Sequence, residues 1–230
     1  MKNLFIVIKK KWVLFFCAVL FFAPIFVCLC RANQTVMPKP QYSIVIDAGH
    51  GGRDGGAVGK SGVSESRLNL DYALSLKEIA LEFGFGVVLT RENMDGLYEE
   101  DAQNKKRSEM EKRRQIINGS GADLVVSLHM NSFPLSSCRG AYVFYGKGSE
   151  SGFNLAKSVQ ESLCESVDYA RKSVSVGDYF VLNYSNIPAV LVECGFVSND
   201  EEESLLLNRD YRKKFCYALF AGILRYFNLT

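Results

Sequence analysis

From Tyr42 onward, short apolar runs alternate with stretches whose apolar residues recur at helical spacing. Tyr42–Ile46, Gly86–Thr90 and the strongly apolar Asp123–Leu128 read as strands. Ala141–Tyr145, the residues around Asp178–Leu182, and Pro188–Val192 read as three more. Between them, Ala73, Leu76, Ala80 and Phe83 mark a helix closed by Gly84 and Gly86. Charged residues 99–115 lead through a second helix to Asn118-Gly119, and a third covers 150–165. Ser198-Asn199-Asp200-Glu201 has the form of a helix start with a capping box. Phe215, Leu219, Ile223 and Tyr226 share one face of a closing helix. This alternation predicts a single α/β domain with a mostly parallel twisted sheet covered on both faces. Ligands of such sheets gather beyond the carboxyl ends of the strands.

The first 31 residues break the pattern. Trp12–Cys30 is an unbroken apolar run behind Lys9, Lys10 and Lys11. As a helix it is about 28 Å long, enough to cross a bilayer. The preceding lysines place the amino terminus in the cytosol and everything after Gln34 outside. Cys30-Arg31-Ala32 is a poor cleavage site, so the segment is expected to stay as a signal-anchor rather than be removed. The expected organisation is a basic tip and transmembrane anchor at 1–31, a linker at 32–41 with Pro38 and Pro40, and one folded domain at 42–230.

Charge changes the picture once the anchor is set aside. The chain has 27 basic and 25 acidic residues; the five basic ones within 1–31 leave 22 against 25, a net charge near −3. With no long basic run, nucleic acid is excluded as a partner. Cys138, Cys164, Cys194 and Cys216 lie beyond the anchor without a CxxC pair, and read as small hydrophobic residues rather than a thiolate metal site.

Candidate chemistry converges at strand ends. The chain has two histidines: His50, in the glycine-rich "IDAGHGGRDGGA", and His129, closing "ADLVVSLHMNS". Glu193 interrupts the apolar "IPAVLVECGF", and Glu65 opens the first helix. All four belong at the carboxyl edge of one sheet. Two imidazoles and a carboxylate suit zinc with one open position, whereas structural sites fill all four. Glu193, not needed as a ligand, is then placed to accept a proton from water and pass it to a leaving nitrogen. Each residue also has an ordinary reading: the histidines as hydrogen-bonded loop residues, Glu65 as an acid favoured by the helix dipole. Asp47 and Asp54 are either partners of a ligating histidine or turn residues, with the turn preferred for Asp54. Arg91, Asn131 and Arg114 fit structural hydrogen bonding or substrate contact. The glycines are GHGGRDGG rather than GxGxxG, and no Walker lysine follows, so a nucleotide site is not indicated. Cys194 as a nucleophile would need a histidine, and both are better used as ligands.

The blocks "IDAGHGGRDGGA", "GVSESRLNLDYA", "DLVVSLHMNS" and "IPAVLVECGFVSNDEE" occur in the order seen in the zinc-dependent N-acetylmuramoyl-L-alanine amidases, and the chain resembles that family from about Tyr42 to Phe227. The resemblance implies one zinc ion on His50, Glu65 and His129, with Glu193 as catalytic acid/base. It implies a sheet of about six strands and hydrolysis of the amide between muramic acid and L-alanine of the peptidoglycan stem. Ala48 stands where the family usually has proline. The short anchored layout, "FYGKGSES" and the closing "GILRYF" resemble the spore-cortex branch, in which this cut is the first step toward muramic δ-lactam. A zinc peptidase cutting within the stem, a vegetative cell-separation amidase and a non-catalytic wall-binding module are the competing readings. Nothing in the sequence specifies an activator protein.

Overall fold

The computed structural model describes residues 19–22, a helical turn, and 40–229. The expected anchor and linker fall almost wholly outside the described residues. Among those described, no helix is long and apolar enough to cross a membrane.

Residues 40–229 build one six-stranded sheet. Its strands are β1 Ser43–Ala48, β2 Gly86–Leu89, β3 Leu124–Asn131, β4 Tyr142–Tyr145, β5 Ser175–Val176 and β6 Ala189–Phe196. The helices are α1 Glu65–Glu82, α2 Lys105–Gly119, α3 Glu150–Ser166, α4 Phe180–Asn183, α5 Asp200–Leu207 and α6 Arg209–Tyr226. The sheet order is β2-β1-β3-β6-β4-β5. The first four strands are parallel; β4 turns antiparallel to β6, and β5 follows β4.

The strand alternation sorts residues to two faces. Ile44, Ile46, Leu124, Val126, Val190 and Val192 pack against α1, α3 and α6, through residues such as Leu76, Leu155 and Phe215. Full burial of each such side chain contributes about 1.5–3 kcal/mol. The opposite face holds a smaller cluster, Val45, Val125, Ala189 and Leu191 with Ile117 of α2 and Val181 of α4. Further along that face the strands turn polar, to Asp47, Ser127, His129 and Glu193. The smaller core thus ends where the candidate residues begin.

Two expectations need correction. Asp178–Leu182 is not a strand: pairing with β4 falls to Ser175–Val176, and Phe180–Asn183 is a short helix. Val181 and Leu182 are buried there against α2 rather than in the sheet. The start of α5 is capped by Asn199 alone, whose side chain accepts the Glu202 N–H at 3.0 Å. Glu202 completes no capping box; its carboxylate accepts the N–H groups of Gly140 and Phe196. In addition, β3 and β6 run three and four residues past their expected ends at Leu128 and Val192.

Candidate metal centre and active site

Three side chains converge at the carboxyl edge of β1 and β3. Glu65, the first residue of α1, is only 5% exposed. Its Oε1 lies 3.0 Å from His50 Nε2 and 2.9 Å from His129 Nδ1. One donor atom from each of His50, Glu65 and His129 falls within 4.8 Å of the others. The other carboxylate oxygen of Glu65 accepts the Ala57 N–H at 2.9 Å, which fixes the group and leaves Oε1 facing the imidazoles. The two histidines hold the Glu65 pKa well below the usual carboxylate range, against the upward push of burial. Burial pulls the His50 imidazole down, but Glu65 and Asp54 more than offset this and its pKa is raised. Two imidazole nitrogens and a carboxylate oxygen, converging without a thiolate, fit a zinc ion with one position left open.

The backbone around His50 is held from several directions. His50 has φ +59°, in the left-handed region that a non-glycine residue seldom occupies. Asn69, fully buried one turn along α1, donates to the Gly49 carbonyl at 3.1 Å and lies 3.4 Å from Glu65 Oε1. Arg91 donates to the carbonyls of Ala48, Gly49, Ser66 and Asn93. Arg113, buried on α2, binds Asp47 and Glu109 and donates to the carbonyls of Ala48 and His50. Burial would raise the Asp47 pKa, but Arg113 and the hydroxyls of Ser127 and Thr90 lower it. These groups secure the strand end from which His50 projects.

Glu193 stands apart from the ligand cluster. It is directly opposite His129 in the β3–β6 pairing, and the register slips by one residue just beyond. Such a bulge re-aims neighbouring side chains at a strand's rim. Glu193 is 8% exposed, and its Oε2 has no hydrogen-bond partner among the described residues. Burial pushes its pKa up to about 7, with His129 and His50 opposing and Glu65 adding to the rise. A buried carboxyl left unpaired is costly unless it has work to do. A cavity of about 170 Å³ adjoins, lined by His50, His129, Lys106, Tyr179 and Phe180 above the buried Asp47–Arg113 pair.

The structure therefore brings His50, Glu65, His129 and Glu193 together. Asp47 lies beneath them, as a partner of Arg113 rather than of a histidine. Arg91 supports backbone, and Arg114 pairs with Glu111 at the surface. Asn131 accepts the N–H of Ser132 and so shapes the loop after β3. Asp54 does more than turn the chain: Oδ1 accepts the Gly56 N–H and comes within 2.9 Å of His50 Nδ1, off the line of a good hydrogen bond. Asn69 and Arg113 went unnoticed in the sequence. Their signal was a polar side chain on a buried helix face, four residues from an acid in each case: Glu65 and Glu109.

Known proteins resemble the chain across the domain that carries these residues. Residues 44–225 match the family model described as N-acetylmuramoyl-L-alanine amidase. The germination-specific N-acetylmuramoyl-L-alanine amidase of Bacillus subtilis is 35% identical over 196 residues, covering 83% of this chain and 82% of that one. Among solved structures, the CwlD amidase of Clostridioides difficile, in complex with the GerS lipoprotein, superposes with a TM-score of 0.78 at 38% identity. That match covers 82% of this chain and 100% of the other. The catalytic domain of the amidase CwlV from Bacillus (Paenibacillus) polymyxa gives 0.73 at 28% identity, over 82% and 99%.

Proposed function

The chain belongs to the N-acetylmuramoyl-L-alanine amidase family, and on that premise we propose that it cleaves the muramoyl–alanine amide of spore-cortex peptidoglycan with one zinc ion. His50, Glu65 and His129 are the residues that would hold the metal. Zinc, when bound, supplies a Lewis acid that polarises the scissile carbonyl and acidifies water. The protein's part in the proton transfers falls to Glu193. Its unpartnered Oε2 accepts the proton of the attacking water and then delivers it to the departing alanine nitrogen. Water adds across the bond, leaving a lactyl carboxylate on the glycan and a free amine on the peptide. A carboxyl held near neutrality by burial is suited to giving and taking the same proton.

The observation that carries this reading is the pairing of a three-donor cluster with a separate, buried, unpaired glutamate. A wall-binding module would have no use for that second group. The likeness to a germination-specific amidase supports the cortex and the first step toward muramic δ-lactam over vegetative cell separation. The apolar run 12–30 and its lysines support an anchored enzyme working outside the membrane. To test the bond, the protein is incubated with purified peptidoglycan and zinc, and the products are analysed by mass. Intact stem peptides beginning with a free L-alanine amine, beside peptide-free muramic acid, are expected. Shortened peptides still attached to muramic acid would mean a peptidase.

A further inference from the structure

The cavity beside the ligand cluster has two cations in its lining, Arg113 and Lys106. Arg113 is buried, and both of its terminal nitrogens are taken up by Asp47, Glu109 and two carbonyls. Lys106 is different. Its side chain is 60% exposed and lines both this cavity and a second concavity of about 350 Å³, which Arg53, Asp54, Tyr98, Lys105 and Glu109 also line. Its partner is Asp54, at 2.5 Å.

That pair does not account for Lys106. An exposed ion pair contributes little to stability. Asp54 also keeps the Gly56 N–H and its approach to His50 without the lysine. Nor does helix stability explain the position. Lys105, Lys106 and Arg107 occupy the first turn of α2, which holds no acid, where the helix dipole disfavours cations. Lys106 is therefore an exposed charge at the mouth of the site, and exchanging its Asp54 partner for another carboxylate costs little.

We propose that Lys106 binds a carboxylate on the peptide side of the substrate, and so selects stems with a free acid near the scissile alanine over amidated ones. The inference rests on the amidase reading above. Stem peptides carry carboxyl groups beyond their first alanine, each of which can be an acid or an amide. Lys106 is one carboxylate removed from His50. That separation suits a group one or two residues past the cut, at about 3.5 Å per extended residue. An ammonium donor would bind the acid through a charge-assisted hydrogen bond that a carboxamide cannot match.

The test uses the full-length zinc-loaded protein and two synthetic muropeptides that differ only in carboxylate against carboxamide at the residue after alanine. The wild type is expected to prefer the acid by roughly 3- to 10-fold in kcat/KM, chiefly through KM. Lys106→Met should bring that ratio close to one with bound zinc retained, and Lys106→Arg should preserve it. Equal treatment of both substrates by the wild type would overturn the proposal. So would a Lys106→Met variant that loses both activities by one common factor, since the lysine would then serve only to hold Asp54. If the wild type cleaves the muramoyl–alanine bond in neither substrate, the amidase reading itself fails, and the inference with it.

Discussion

Glu65 and Glu193 are both buried glutamates beside the same two histidines, and their partners separate them. Glu65 is gripped by a backbone N–H and two imidazoles, whereas Glu193 has a carboxylate oxygen with no partner among the described residues. Both were legible in the sequence, because scarce histidines at strand ends and an acid within an apolar run are chemically conspicuous. Arg113 and Asn69 were not, since what they hold is the backbone of a distant loop, and carbonyl groups leave no mark on a sequence. Asp47 was legible only as a polar residue at a strand end; its partner on α2 came from the fold. Asp47→Asn should destabilise the protein by about 3 kcal/mol, the lower end of the cost of breaking a buried pair, because Arg113 keeps Glu109. Urea unfolding at pH 7 measures this. The pH dependence has a definite sign. With the folded-state pKa of Asp47 below its ordinary value, its contribution is complete above about pH 4 and is lost as pH falls through the lowered value. Unfolding midpoints between pH 6 and 3 should therefore fall less steeply in Asp47→Asn than in the wild type; identical slopes would remove Asp47 from the acid response.

The elements followed the apolar pattern wherever that pattern reflected burial in the sheet. It misled at Asp178–Leu182, where the apolar Val181 and Leu182 are buried by a short helix resting on α2. Short apolar runs do not distinguish these cases. The extensions of β3 and β6 were also hidden, because their last residues serve the site and are not uniformly apolar. Their consequence is the opposition of His129 and Glu193 across a bulge. The end of β1 is equally exacting. A Cβ placed on Gly49 would lie 2.3 Å from the His129 ring. Gly49→Ala is thus expected to push His129 from the cluster, lowering zinc affinity and turnover far more than stability. Bound zinc and a thermal melt on the same sample check this; a variant with full zinc occupancy would contradict the close packing of that turn against His129.

At the scale of the whole molecule, the sheet topology collects the functional groups. Parallel β1, β3 and β6 deliver His50, His129 and Glu193 to one edge, and α1 returns Glu65 to the same place. Alternating strands and helices made this foreseeable, as did the blocks shared with the amidase family. The N-terminal segment makes a separate claim. If 12–30 anchors the protein, the full chain should stay with membranes through a high-salt wash, because apolar burial is indifferent to screening. A soluble product beginning near Asn33 would contradict it. The near −3 charge beyond the anchor leaves little for simple electrostatic retention on an anionic surface.

The division of labour between the two glutamates is the core of the account, and one paired measurement addresses it: bound zinc and turnover on peptidoglycan for Glu65→Gln and Glu193→Gln across added zinc. Glu65→Gln replaces a charged oxygen donor by a weaker neutral one, so zinc affinity should fall and excess metal should partly restore turnover. Glu193→Gln should hold zinc as the wild type does while turnover drops by about 10²–10⁴-fold, a loss that added metal does not repair. Loss of zinc from Glu193→Gln with retention in Glu65→Gln would reverse the assigned roles, and zinc and activity retained in both would remove the site altogether.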